Sequence, residues 1–422
     1  MATRPLHAVL VGSTEAAGPR LLELLAAALD GSGPAIAPVD AGLPAPARER
    51  LLDALAPEAV QDTAGVTTAR SARRTTAVAE GTAVVIGTSG STGAPKGVEL
   101  SAAALVWSAR ASLARIGAGP GAAGRWLCCL PLTHVAGLQV LVRSLVAGTE
   151  PVLADRADAG SVAAACAAGC AHVSLVPAQL RRLLGRREQP GGGGAGPLAR
   201  FSSVLLGGAA APPGLLQAAR AAGVPVVTTY GMTETCGGCV YDGLPLDGVR
   251  VAIRDEAGVP ARDGRIWIGG PVLFTGYLAG RPAPRDGWFR TGDLGRLDSS
   301  GRLCVRGRAD DLINTGGHKV VPAEVAAALQ TCPGVADAAV VGLPDPDWGE
   351  RVVAVVVPAD PADPPPLKLL RLHVQQRLPR YAAPSGVVLV DAVPLLPSGK
   401  PDIARIRRDV LRWEQTKAGR VS

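Results

Sequence analysis

The chain has 422 residues, 47% of them hydrophobic and only 3% aromatic, and its 43 Lys and Arg against 36 Asp and Glu leave a formal charge of +7. That length holds two or three domains, and that apolar fraction excludes a disordered chain, so Ala, Val and Leu must fill the core. The basic residues are scattered, with no run of five and no interleaved aromatics, which argues against a nucleic-acid partner; a modest positive field suits polyanionic small molecules instead.

From the N-terminus, residues 1–18 carry one short apolar stretch at 8–11 and no cleavage pattern behind a long apolar core. No apolar run reaches the roughly 18 residues of a spanning helix. A cytoplasmic protein without membrane insertion is expected, with its eight Cys kept as thiols. Apolar spacing predicts helices at 21–29, 102–115 and 138–146. Short buried strands are predicted at 83–87, 126–130, 151–153, 172–176, 203–206 and 224–228. This alternation implies an α/β fold: parallel-rich sheets covered by helices in a large N-terminal domain. The glycine run within 189–197 reads as a variable surface insert.

Cys236 and Cys239, with Cys166 and Cys170, raise a zinc site, but the second spacing is loose and no His stands at ligand spacing. Small residues lining a tight wall account for them as well. From about 248 to 307 short β segments punctuated by Gly and Asp predict a small β-rich subdomain. After 308 the pattern becomes α+β: a helix at 322–330, strands at 336–342 and 352–358, a Pro-rich loop at 360–366, a helix at 368–377 and a strand at 387–390. The expected domains are therefore 1–307, a hinge at 308–311, and 312–422.

The most informative segment is Thr88-Ser89-Gly90-Ser91-Thr92-Gly93-Ala94-Pro95-Lys96-Gly97, directly after a predicted strand. Its glycines let the backbone approach an anion, and its hydroxyls and lysine offer donors to phosphate oxygens. It departs from the P-loop pattern, because Pro95 follows Gly90 by five residues and no Ser or Thr follows Lys96.

Four further motifs follow in order: Tyr230-Gly231-Met232-Thr233-Glu234, Arg290-Thr291-Gly292-Asp293, Gly307-Arg308-Ala309-Asp310-Asp311 and Pro397-Ser398-Gly399-Lys400. Together with the phosphate loop they resemble the signature motifs of the adenylate-forming superfamily of acyl- and aryl-CoA synthetases, over about three quarters of the chain. The resemblance implies ATP and Mg²⁺ as cofactors and CoA as co-substrate, with a mobile α+β C-terminal domain. It makes Thr88, Ser89, Gly90, Ser91, Thr92, Gly93 and Lys96 phosphate-binding, Tyr230 the adenine platform, and Thr233 a phosphate donor. Glu234 becomes the Mg²⁺ ligand, a hard oxygen donor for a hard cation. Asp293 would accept from the ribose hydroxyls, Arg308 would reach ribose or phosphate, and Asp310 would be the hinge. Lys400 would stabilise charge developing at the α-phosphate. Taken alone, Asp293 reads as a turn residue beside Gly292 and Lys400 as a solvated charge. Gly316 and Gly317, in Thr315-Gly-Gly-His-Lys319, would leave room for the pantetheine arm, though a tight β-turn explains them as well.

His134, in Pro131-Leu-Thr-His134-Val-Ala-Gly137, follows a predicted strand and is similar to the family's gate to the acyl pocket. The runs from His134 to Arg143 and from Gly231 to Gly243 are most like the o-succinylbenzoate-CoA ligases of menaquinone biosynthesis. That resemblance implies an acid-thiol ligase making o-succinylbenzoyl-CoA through an acyl-adenylate. Another acyl- or aryl-CoA synthetase, or an adenylation protein loading a carrier, remains the alternative. A second carboxylate on the acid needs donors, for which Arg143, Thr235 and the 236–238 backbone are candidates. The phosphate loop begins only 88 residues in, so the outer N-terminal sheet is expected to be reduced, which bears on homo-oligomer formation.

Overall fold

A computed structural model describes the chain except residues 1–2, 63, 71–75, 90–94, 120–123, 186–195, 279, 281–283, 285, 397–398 and 419–422. The insert at 189–195 and Gly90, Ser91, Thr92 and Gly93 therefore lie outside the described residues.

The first sheet has eight strands. In spatial order they are Gly276–Tyr277, Pro95–Ser101, Thr82–Ser89, Ala35–Asp40, Thr3–Val11, Ala59–Gln61 and Thr67–Ala69, with Ala77–Ala79 added on Thr3–Val11. Its centre is parallel, and Thr82–Ser89 and Pro95–Ser101 form an antiparallel hairpin paired from Thr82↔Ser101 to Ser89↔Pro95. Thr88 and Lys96 face each other near one end of that hairpin. Helix Thr14–Asp30 starts seven residues before the apolar pattern does, because the Ser13 hydroxyl accepts from the Ala16 amide and caps its first turn. Helix Ala102–Arg115 begins as predicted, capped in the same way by Ser101.

The second sheet runs Leu244–Pro245, Gly237–Tyr241, Val226–Met232, Ser203–Leu206, Cys170–Leu175, Arg125–Cys128, Val152–Leu153. Every pairing from Val226–Met232 outward to Val152–Leu153 is parallel. This is the α/β architecture expected, and it puts the loops after Cys128 and Met232 at the same, carboxyl-terminal edge, where open parallel sheets bind ligands.

The β-rich stretch forms a four-stranded sheet, Arg250–Arg254, Asp263–Gly269, Trp288–Leu297, Leu303–Arg308. Gly276–Tyr277 leaves it and pairs with Pro95–Ser101. The last sheet combines His318–Val320, Ile313–Thr315, Gly349–Pro358 and Val335–Asp345 with Gly386–Leu389 on Gly349–Pro358. Its two long strands show near-continuous apolar runs because both faces are covered. Ala338, Val340, Val352, Ala354 and Val356 pack with Val325, Leu329, Leu370 and Val374. The alternate residues Ala339, Val341, Leu343, Val353 and Val355 pack with Ile406 and Val410.

By packing, the chain forms two compact units, Met1–Gly208 with Ala219–Ala252 and Trp267–Arg290, and Ala209–Ala218 with Ile253–Ile266 and Thr291–Ser422. No helix among the described residues is long and apolar enough to cross a membrane.

Candidate active site

In the first unit the site grows from the end of strand Val226–Met232. The strand pairs with Gly237–Tyr241 through Tyr230↔Val240, and the register slips between Tyr230 and Gly231. Such a bulge bends a strand and re-aims its side chains. The next turn is a 3₁₀ helix, Thr233–Thr235. The Thr235 hydroxyl, fully buried, accepts from the Met232 amide at 2.9 Å and donates to the Gly237 carbonyl at 2.7 Å. Gly231 is dictated by space: a Cβ there would lie 2.0 Å from the Gly237 carbonyl oxygen. Tyr230, Thr233 and Glu234 are all half-buried in this tight turn.

Glu234 is held from both ends. Its carbonyl accepts from the Phe274 amide at 2.9 Å, and its Oε1 accepts from the Tyr277 hydroxyl at 2.9 Å. Burial, and then the neighbouring carboxylate, push the Tyr277 phenol well above its usual range, so it is a neutral donor. The second carboxylate oxygen is left without a partner among the described residues, which fits a hard cation. Lys96, on the hairpin, has its Nζ 5.9 Å from the centre of the Tyr277 ring. Thr88 lies opposite it in register, its hydroxyl donating to the Lys96 carbonyl at 3.4 Å.

His134 is exposed and precedes helix Val135–Ala147 as its N-cap residue, without a side-chain cap. That helix runs close to the Glu234 turn: a Cβ on Gly237 would stand 3.4 Å from Gln139 Cγ and 3.9 Å from Val135 Cγ2. Farther along it, Arg143 is 6% exposed. Its Nη2 donates to the Ser174 hydroxyl at 3.1 Å, its guanidinium lies 4.3 Å from the Trp126 ring centre, and its Nε has no partner. Burial lowers its pKa, and no carboxylate faces it among the described residues. Behind it, the His172 ring lies 4.9 Å from that of Trp126, tilted by 37°, and shares a 2.9 Å hydrogen bond with Ser203.

The Cys236 thiol, closing this turn, and the Cys239 thiol, on the strand after it, are buried and both pushed up by desolvation. Among the described residues no group of three or more His, Cys, Asp or Glu could hold a metal ion.

The second unit holds the remaining candidates. Asp293 and Arg308 are cross-strand partners, 3.8 Å apart, and Arg308 also reaches Asp310 at 3.6 Å. Gly316 and Gly317, at φ +56° and +78°, form the two-residue turn between Ile313–Thr315 and His318–Val320, a geometry that favours glycine at both positions. Trp348, 61% exposed, covers Gly316 so closely that a Cβ there would meet its ring at 2.4 Å. Lys400 is exposed at the end of a small loop, its carbonyl accepting from the Leu396 amide at 2.7 Å.

Tyr277 and Trp348 escaped the sequence reading. The first lies in a two-residue strand with no periodicity, and the second is a lone tryptophan in a turn.

Residues 16–278 match the family model described as AMP-binding enzyme. The chain belongs to the AMP-binding enzyme family. Residues 324–400 match the AMP-binding enzyme C-terminal domain, which contains Lys400. Among family members, the chain is 46% identical over 337 residues to a probable 2-succinylbenzoate–CoA ligase of Mycobacterium tuberculosis, covering 77% of this chain and 84% of the relative. The o-succinylbenzoate CoA synthetase MenE of Bacillus subtilis has been solved with its acyl-adenylate intermediate OSB-AMP and with ATP and magnesium. The two structures superpose with TM-scores of 0.74 and 0.78 at 27% identity, over 96% and 95% of this chain and 88% and 89% of theirs. The amide bond synthetase McbA of Marinactinospora thermotolerans gives 0.83 at 28% identity, over 97% of this chain and 90% of its own.

Proposed function

We propose that this AMP-binding enzyme is an acid–CoA ligase that makes o-succinylbenzoyl-CoA in two steps. The acid's carboxylate attacks the α-phosphate of ATP and releases pyrophosphate. The thiol of CoA then attacks the acyl-adenylate and releases AMP. The observation that carries the choice of acid is Arg143: a buried guanidinium without an acidic partner is costly, and a substrate carboxylate would complete it. It lies on helix Val135–Ala147, which runs close to the Glu234 turn where the reacting carboxylate would stand. The 46% identity to a probable 2-succinylbenzoate–CoA ligase supports the same acid.

In this reading Thr88, Lys96 and the loop of Ser89 to Gly93 bind the phosphates, Tyr230 stacks on adenine, and Thr233 donates to phosphate. Glu234 holds Mg²⁺, which neutralises phosphate charge when bound. Asp293 accepts from the ribose hydroxyls beside Arg308, and His134 gates the acid. The C-terminal domain turns about Asp310 within 308–311, bringing Lys400 to the α-phosphate for the first step. It then brings Gly316, Gly317 and the exposed face of Trp348 to the pantetheine arm. The cytoplasm, where ATP and CoA are found, is the place of action.

The test is pyrophosphate release over a panel of acids, with and without CoA. o-Succinylbenzoate should exceed benzoate, acetate and amino acids by at least about a hundredfold in kcat/KM, since donors left unpaired cost about 3 kcal/mol and 1.36 kcal/mol is tenfold. Arg143→Met should lose most of that preference while retaining pyrophosphate release with the poor acids. Equal turnover of benzoate by the wild type would remove the dicarboxylate assignment. ATP-dependent amide formation with an amine, and no thioester with CoA, would place the chain with McbA's chemistry instead.

A further inference from the structure

We infer that Tyr277 is a positioning residue for the metal: its hydroxyl fixes one oxygen of Glu234 so that the other is presented to the Mg²⁺ of bound ATP. The inference rests on the reading of Glu234 as the Mg²⁺ ligand. A free glutamate has three rotatable bonds, and ordering such a side chain costs about 1.5–2 kcal/mol. Tyr277 has only two and is itself locked. Its ring meets Phe274 edge-on at 4.8 Å, and Phe274 meets Phe289 in the same way at 5.1 Å. The backbone around it is tied to the phosphate hairpin: the Thr275 amide donates to the Glu99 carbonyl and the Leu278 amide to the Gly97 carbonyl, both at 2.9 Å. Gly276 and Tyr277 stand in register with Glu99 and Val98.

The segment from Phe274 to Leu278 therefore joins two parts of the site that are far apart in sequence. At one end the Phe274 amide and the Tyr277 hydroxyl hold the backbone and the carboxylate of Glu234. At the other it pairs with the strand carrying Lys96, whose ammonium lies 5.9 Å from the same tyrosine ring. An outer hydrogen bond that orients a ligating carboxylate is worth about 10–100-fold in metal affinity. Glu234 makes this one side-chain hydrogen bond among the described residues, so Tyr277 supplies that orientation.

The test is a double-mutant cycle on Tyr277→Phe and Glu234→Gln, which keeps the aromatic ring and changes single groups. Two readouts are taken: Mn²⁺ bound in the presence of ATP, followed by electron paramagnetic resonance, and the Mg²⁺ concentration giving half-maximal pyrophosphate release. Tyr277→Phe should weaken Mn²⁺ binding and raise the Mg²⁺ requirement by about tenfold, with activity largely restored at saturating Mg²⁺. Added to Glu234→Gln it should have no further effect. A merely structural tyrosine would give additive losses that Mg²⁺ does not restore, and that result overturns the inference. If Glu234→Gln weakens Mn²⁺ binding while Tyr277→Phe does not, the inference falls and the metal assignment stands. If neither substitution changes Mn²⁺ binding, the assignment of Glu234 falls, and the inference with it.

Discussion

Arg306 grips Glu324 with a two-point hydrogen bond, Nε to Oε1 at 2.5 Å and Nη2 to Oε2 at 2.8 Å, while its Nη1 reaches Asp263 at 3.3 Å. Glu324 stands in the first turn of helix Pro322–Leu329, which has no side-chain N-cap, so the carboxylate also favours the positive end of that helix. Both side chains are about a third exposed, and solvent screening discounts the pair accordingly. Glu324→Ala should lower unfolding free energy by about 1 kcal/mol, read from denaturant midpoints. Arg306→Lys, which keeps the charge and loses the fork, should be destabilised nearly as much; a fully wild-type midpoint would show that the second hydrogen bond contributes nothing.

Gly231 is held to glycine by the Gly237 carbonyl oxygen, 2.0 Å from where a Cβ would stand. The obstacle is backbone and cannot rotate away. Gly231→Ala should therefore force the Thr233–Thr235 turn apart, lowering stability by about 1–3 kcal/mol and displacing Glu234. Pyrophosphate release should fall more than tenfold, and excess Mg²⁺ should not restore it.

Lys400→Ala should remove most adenylation but spare thioester formation from chemically made acyl-adenylate and CoA. The Lys400 side chain is exposed, so the change should leave the melting temperature within experimental scatter. Equal loss in both half-reactions would count against the proposed rotation about Asp310.

His172 carries a pH signature. Burial, reinforced by Arg143, depresses its pKa from 6.5 to about 4. The unfolded chain takes up a proton at higher pH than the folded one, so the stability this site confers is full above about 6.5 and is lost as pH falls toward 4. The difference is at most about 3 kcal/mol. Denaturation of wild type and His172→Asn at pH 7.5, 5.5 and 4.5 should show a steeper loss for the wild type. Parallel curves would mean that the imidazole protonates in place.

Most strands of the parallel sheet were legible because their apolar runs are short, buried on both faces and bounded by glycine, as at Ser203–Leu206. Helix Ala102–Arg115 was legible to the residue, since its capping serine directly precedes the periodic stretch. The start of helix Thr14–Asp30 was not, because Ser13 lies several residues ahead of the first leucine.

The candidate site divides along the same line. Candidate residues such as Glu234, Asp293 and Lys400 stand out in sequence through the motifs that carry them. What holds them is set by contacts between distant segments: Tyr277 on Glu234, 43 residues away, and Arg143 on Ser174, 31 residues away. The two-residue strand Gly276–Tyr277 has no local signal and exists only because the edge of Pro95–Ser101 offers it backbone partners. Hydrophobic period and turn chemistry are properties of neighbours in the chain, so sequence alone determined the fold class, and its motifs named the candidate site residues. Orientation of a carboxylate, and burial of an arginine without an acid, depend on side chains that meet only after the sheets have formed, so only the tertiary structure decided them.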